Sequence, residues 1–412
     1  MMLLSIYQRL AALISLAVLA AGAGFIWSWF RLREVLAAYP DDLIDSQEWR
    51  LWTGGLLIAV SFLGRLPVGL LLGERSDDGA RLVRGPGEMV DTQDGARLFV
   101  EQSGPPDAPV LIFVHGWGLD AGVWWEARRM LSDRYQVVTY DLAGLGRSKP
   151  YRDRRYSLDR FADDLMALVS RACPRKVILV GHSIGGMTVQ TFCRRYPETL
   201  GRQVVGVVLE NTTHTDPLRT TALGEGLESL EPVIKPVMRL DVWLQPLAWL
   251  MNWQSYLSGM THLAMRFGGF GTRPTKAQLE QVSRAVTRNS PAVQAKGNIA
   301  MMEWGVTEDL PQMRIPALVF VGGSDLVTVA QAGETIARRM PQARAVHVGD
   351  AGHLGPMELA DEYNAAIARF ADEVFTRGAR SADAALGREP WPSEPLGEPR
   401  AFPVTPGAWP ND

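Results

Sequence analysis

The chain has 412 residues, 47% of them hydrophobic, which suits one large α/β domain with appendages and a sizeable buried core. A formal net charge of −3 leaves no basic excess for a nucleic-acid partner. Two cysteines, Cys173 and Cys193, are too few for a disulfide framework and have no metal-site spacing, so both are read as small buried apolar residues.

The first 75 residues differ from the rest. Residues 10–30 are almost wholly apolar and carry no charge. As a helix rising about 1.5 Å per residue, this run reaches roughly 30 Å, the thickness of a bilayer core. Residues 51–73 form a second apolar run, interrupted by Arg65 and Pro67, and residues 31–50 between them are polar. Arg65 must snorkel, face protein or lie in the interface. Residues 1–75 are therefore expected to be a membrane anchor of one or two transmembrane helices, in a bacterial inner membrane. The competing reading of the first run is a cleaved signal peptide, with Arg9 ahead of it and Ala21-Gly22-Ala23 as the cleavage site. Trp27, Trp29 and Phe30 extend the run and suit a membrane interface, which favours retention. Two helices put both termini on one side. Arg9, Arg75, Arg81 and Arg84 flank that side, against Arg31, Arg33 and Arg50 in the loop, a slight bias toward the cytoplasm.

From residue 87 the pattern becomes strand, turn, helix. Residues 88–90 and 96–101 read as a hairpin around Asp94-Gly95. Buried-strand candidates follow at 109–115, 135–140, 176–181, 204–209, 317–321 and 343–348, and helical patterns at 122–131, 158–172, 184–196, 329–340 and 359–375. This alternation predicts a mainly parallel sheet with helices on both faces. Residues 215–314 are too long for a simple crossover. They hold helical patterns rich in Trp and Met and no strand, and are read as an inserted helical cap. Residues 79–377 thus form the expected catalytic domain. Residues 378–412, with Pro390, Pro392, Pro395 and Pro399, are read as a disordered tail.

The sequence Gly181-His182-Ser183-Ile184-Gly185 directly follows an apolar strand and opens a helix. That context lets a sharp turn lift a serine above the sheet edge, while the two glycines avoid collisions. Ser183 is the predicted nucleophile. A serine hydroxyl needs a base, and His353, in the loop after the last strand, emerges at the same sheet edge. His182 is expected to point away, and His115 to bond nearby backbone. Asp325, after the strand at 317–321, is the predicted acid that orients His353, with Glu210 as its rival one strand earlier. The oxyanion donors are expected to be the backbone N–H groups of Trp117 and Ile184.

These features resemble the α/β-hydrolase superfamily, in its esterase and lipase branch, over residues 87–377. The resemblance rests on His115-Gly116-Trp117, the stretch from Asp141 to Ser148, the serine turn, Gly323-Ser324-Asp325 and Gly352-His353. Ala143 stands where the family usually has arginine. The resemblance implies an α/β-hydrolase fold with a helical cap, here preceded by N-terminal membrane helices, and no cofactor or metal. Relatives with an aspartate nucleophile are epoxide hydrolases and dehalogenases, and Ser183 argues against both activities. The expected function is hydrolysis of carboxylic esters, apolar or lipid-like, through an acyl-enzyme. Acyl transfer or perhydrolysis on the same triad is the nearest alternative, and a non-catalytic membrane-bound ligand-binding protein is the alternative from another class. Expected partners are a small-molecule ester and the membrane, with no nucleic acid. The oligomeric state is left open.

Overall fold

The computed structural model describes residues 2–37, 44–74 and 84–383. Its centre is an eight-stranded sheet: β1 (Gly87–Asp91), β2 (Arg97–Ser103), β3 (Val110–Val114), β4 (Gln136–Tyr140), β5 (Val177–His182), β6 (Val204–Glu210), β7 (Ala317–Gly322) and β8 (Ala343–Val348). The spatial order is β1-β2-β4-β3-β5-β6-β7-β8. β1 and β2 are the hairpin predicted around Asp94-Gly95, and β2 continues antiparallel onto β4. Every later pairing is parallel. β3 reads Val-Leu-Ile-Phe-Val and is buried at every position, as a strand covered on both faces must be.

The helices that cover the sheet form where the apolar spacing demands them. α4 (Trp125–Leu131) packs against the C-terminal helix, and α5 (Leu158–Ala172) packs against α6 (Ile184–Arg195). In α5, Leu158, Phe161, Ala162, Leu165, Leu168 and Val169 are buried, a helical stripe, and the Ser157 hydroxyl caps its start by accepting from Arg160 N–H. Between β6 and β7 the chain builds the expected cap: α7 (Gly224–Ser229), α8 (Glu231–Trp243), α9 (Gln245–Leu257), α10 (Met260–Gly268), α11 (Lys276–Arg288) and α12 (Pro291–Met302). Met238, Met301 and Met302 fill its interior, whereas Trp243 (87% exposed) and Phe267 (62%) face outward instead of packing the cap. After β7 come α13 (Ala330–Arg339), α14 (Gly355–Glu358) and α15 (Ala360–Asp383). α15 runs past residue 378, where the tail was expected to begin, and the rest of that tail lies outside the described residues. Cys193 is buried as expected, but Cys173, at the C-terminal end of α5, is exposed.

Three helices precede the sheet: α1 (Met2–Leu36), α2 (Glu48–Leu63) and α3 (Arg65–Leu72). α1 is long and apolar enough to cross a membrane, while α2 and α3 pass the same test only as a pair bent by 65°. α1 and α2 cross where Gly22 meets Gly54. A Cβ on Gly54 would lie 2.6 Å from Ile26 Cγ1, so only a small residue permits this approach. At the bend, Arg65 faces protein: its guanidinium lies 5.4 Å over the Tyr256 ring and 4.0 Å from Glu280.

The first turns of α1 do not stand apart from the hydrolase unit. Leu3, Leu4, Ala11, Ala12 and Ser15 are buried. Leu4 joins the main hydrophobic core, and Ser15 Oγ donates to Ser258 Oγ at 2.6 Å. The sequence reading places that core wholly beyond residue 87. An apolar run shows no helical stripe, so a buried face within it leaves no trace in the pattern. The charge bias also changes. Arg9 is paired with Asp241, and Arg84 with Glu101, Asp120 and Asp141, so neither is a free juxtamembrane cation. Arg75 and Arg81 lie outside the described residues.

Candidate active site

β5 ends at His182 and α6 begins at Ile184. Ser183 between them has φ 56° and ψ −118°. A non-glycine residue held at positive φ carries about 1–3 kcal/mol of strain that its surroundings must enforce. The flanking glycines make the turn possible. A Cβ on Gly181 would sit 2.4 Å from the Gly185 carbonyl carbon, and one on Gly185 would sit 2.1 Å from Val114 O. Ser183 N–H donates to Glu210 O at 2.9 Å, and Thr212 Oγ1 donates to Ser183 O at 2.6 Å, tying the turn to β6.

The structure brings Ser183, His353 and Asp325 together. His353 Nε2 is 3.0 Å from Ser183 Oγ, and His353 Nδ1 is 3.0 Å from Asp325 Oδ2. All three are buried. Asp325 is held from several sides. Oδ1 accepts from the N–H groups of Val327 and Thr328 (2.8 and 2.9 Å), and Oδ2 from Thr328 Oγ1 (2.7 Å) and Asn211 Nδ2 (3.2 Å). Burial acts to raise the Asp325 pKa, but the facing His353 and these hydrogen bonds outweigh it and hold the carboxyl at about 2. Burial lowers the His353 pKa, and Asp325 only partly offsets this. At neutral pH the aspartate is therefore ionised and the imidazole neutral. In that state Nδ1–H donates to the carboxylate and Nε2 faces the serine hydroxyl as an acceptor.

Glu210, the rival acid, is arranged differently. Neither of its carboxyl oxygens has a hydrogen-bond partner among the described residues, and burial pushes its pKa to about 8. It is protonated at neutral pH and does not face His353 as an acceptor.

Two supporting residues, and the role of a third, escaped the sequence reading. Asn211 has φ 45°, donates to Asp325 and to Gly352 O (2.9 Å), and accepts from Tyr363 Oη (2.7 Å). Asparagine tolerates that backbone region better than most residues, and an Asn directly after a strand is the one local signal. Thr328 reaches Asp325 through a short turn that has no pattern of its own. His182 turns away from Ser183, as expected, but its Nε2 donates to His353 O at 2.7 Å and so steadies the histidine loop. Its pKa is lowered to about 3, by burial first and by His353 second, so it stays neutral. His115 bonds backbone as predicted: Nδ1 is 2.8 Å from Gly116 O, and Nε2 accepts from Leu142 N–H at 2.9 Å.

The two backbone N–H groups expected to hold the oxyanion are those of Ile184 and Trp117. Ile184 is the first residue of α6, and its N–H has no acceptor within that helix. Trp117 lies in the loop after β3, and its indole N–H donates to Gln294 O at 3.0 Å. A Cβ on Gly297 would collide with that ring, so the cap and the loop interlock here. Beside His353 is a small, mainly apolar cavity walled by Leu4, Trp117, Met265, Val282, Val286 and Leu354, with Ser5, Gln8 and Gln294 on one side. Among the described residues no cluster of His, Cys, Asp and Glu is arranged to hold a metal ion.

Residues 111–369 match the sequence model of the alpha/beta hydrolase family. Among curated proteins, a non-heme chloroperoxidase of Burkholderia pyrrocinia is 29% identical over 246 residues, 59% of this chain and 84% of its own length. The bifunctional esterase/perhydrolase DCH of Acinetobacter calcoaceticus is 39% identical over 110 residues, 26% of this chain and 39% of its own. Among solved structures, a thermophilic esterase from Thermogutta terrifontis superposes with a TM-score of 0.57 at 25% identity, covering 70% of this chain and 99% of the esterase. The chain is thus a hydrolase-type protein with esterase-, perhydrolase- and chloroperoxidase-like relatives.

Proposed function

We propose, from the premise that this chain belongs to the alpha/beta hydrolase family, that it is a serine hydrolase cleaving carboxylic esters through an acyl-enzyme. The observation that carries this reading is the unbroken hydrogen-bond chain from Ser183 Oγ through both His353 nitrogens to Asp325. In the proposed mechanism Ser183 Oγ attacks the ester carbonyl as its proton passes to His353 Nε2. Ionised Asp325 keeps the imidazole in the right tautomer and stabilises the imidazolium. The N–H groups of Trp117 and Ile184 receive the oxyanion. His353 then gives its proton to the departing alkoxide, leaving Ser183 acylated. Water, deprotonated by His353, attacks the acyl group, and Ser183 leaves with the returned proton as the acid is released.

The apolar walls beside His353 support an apolar acyl group. Membrane retention is proposed through residues 1–75, ahead of a hydrolase unit at 79–377 with its cap at 215–314. Its support is that a signal-peptide cleavage at residues 21–23 would remove Leu3, Leu4, Ala11 and Ala12, all of which are buried. Acyl transfer to peroxide is the second reading, favoured by the esterase/perhydrolase relative. Product partition between water and added peroxide separates the two.

The test is reaction of the full chain with a fluorophosphonate probe, followed by peptide mapping, alongside turnover of p-nitrophenyl esters. The expected result is a single labelled peptide containing Ser183. Ser183→Ala is expected to abolish labelling and lower turnover by roughly 10⁴-fold or more. Undiminished turnover in Ser183→Ala would sink the mechanism.

A further inference from the structure

The cavity beside His353 holds about 20 Å³. That is room for about one water molecule, and no ester fits without a wall moving. One of those walls is the start of α1: Leu4, Ser5 and Gln8 all line it. The loop wall, by contrast, is pinned by the Trp117 indole hydrogen bond and the close Gly297 contact. The α1 side of the wall includes Gln8, a long half-buried side chain that can change rotamer and widen the passage while the backbone of α1 stays packed.

A second cavity lies behind the same residues. It holds about 290 Å³, near the lower end of the range of roughly 300–1,000 Å³ for small-molecule sites. Ser5, Gln8 and Gln294 line both cavities, so these side chains form the partition between them. The larger space has mixed walls. Arg9, Asp241, Asn252 and Asn298 are polar, while Leu13 on α1 and Val237 on α8 are apolar and reach its outer side. Leu13 (54% exposed) and Val237 (46%) continue into exposed Leu240, Trp243 and Leu247 on α8 and α9. α1 continues past its Ser15–Ser258 contact with the cap, and Leu3–Leu36 as a whole is apolar and long enough to cross a membrane.

We propose that these two cavities are one amphiphile channel, gated by the first turns of α1, through which an ester lipid passes from the bilayer to Ser183. This rests on the serine-hydrolase and membrane-retention readings and names the substrate class. The acyl chain lies against Leu4, Trp117, Met265, Val282 and Leu354. The polar part of the ester lies among Ser5, Gln8, Asn252 and Asn298. Asn298 Nδ2 donates to Ser5 Oγ at 3.0 Å, but Asn298 Oδ1 has no hydrogen-bond partner among the described residues, so an all-apolar ligand would leave it desolvated, and a fully polar one would not partition to the mouth.

The test compares kcat/KM for p-nitrophenyl dodecanoate and p-nitrophenyl acetate in the full-length protein, held in detergent. Gln8→Trp fills the partition and should lower the dodecanoate-to-acetate ratio about tenfold, the lower end of what one methylene in an apolar pocket is worth. Leu4→Ala, a milder change, widens the acyl end and should raise that ratio. A ratio unmoved in Leu4→Ala, or long and short esters changing equally in both variants, overturns the channel. Fluorophosphonate labelling distinguishes the two failures. If Ser183 is labelled in the parent and Leu4→Ala but the ratio is unmoved, only the channel falls. If Ser183 is not labelled in the parent, the serine-hydrolase reading falls and the channel with it.

Discussion

Replacing Glu210 by glutamine tests both an energy and an assignment. The carboxyl is fully buried at the C-terminal end of β6, has no hydrogen-bond partner among the described residues, and has its pKa raised from 4.5 to about 8 by burial. In the unfolded chain it ionises near the ordinary value, so above that pH folding obliges it to keep a proton that water would take. A folded-state pKa raised above the unfolded one leaves stability whole below pH 4.5 and erodes it as pH rises toward about 8. Over the interval from pH 4.5 to 7, at about 1.36 kcal/mol per pH unit, the penalty reaches roughly 3 kcal/mol. Glutamine has nearly the same shape and does not titrate, but its amide carries two N–H donors where the protonated acid carries one O–H, a cost that does not vary with pH. Glu210→Gln should therefore gain on the parent by up to about 3 kcal/mol between pH 4.5 and 7, a relative rise of several degrees in Tm. Thermal unfolding of the full chain in detergent, from pH 4.5 to 8.5, measures this, with ester turnover followed alongside and expected to persist. A stability difference that does not grow with pH would refute a buried neutral carboxyl. Turnover lost by orders of magnitude would move the catalytic acid from Asp325 to Glu210.

Asp325→Asn should keep the fold and lower turnover by roughly 10⁴-fold, because the imidazole loses the acceptor that selects its tautomer. A small effect, within a factor of a few, would remove Asp325 from the mechanism. Turnover requires neutral His353, whose pKa burial holds below 6.5. The kcat/KM profile should therefore be flat above pH 6.5 and bend downward only below it, and a bend above pH 7 would contradict the assignment. The full chain should resist alkaline carbonate extraction from membranes and retain an N-terminus at residue 1 or 2 by intact mass. A mature start near Gly24 would instead establish cleavage.

Much of the fold was legible along the chain because each element carries its own signal. β3 is apolar throughout since both its faces are covered, α5 shows a stripe of period 3.6, and the turn at Ser183 needs glycines on either side. Ser183, His353 and Asp325 could be named because each ends or follows a recognisable strand, and the parallel strands of an α/β sheet bring such loops to one edge. Other parts of the site depend on contacts between distant segments. Nothing local in Asn211, Thr328 or Tyr363 announces that they converge on Asp325. What favours Asp325 over Glu210 is likewise a set of hydrogen-bond partners that only folding supplies. The start of α1 is the clearest case. Its residues are apolar enough for lipid or for a protein core, and hydrophobicity has no direction. Only the packing of α1 against the cap puts Leu4 beside His353, while the later turns of the same helix keep their apolar surface exposed.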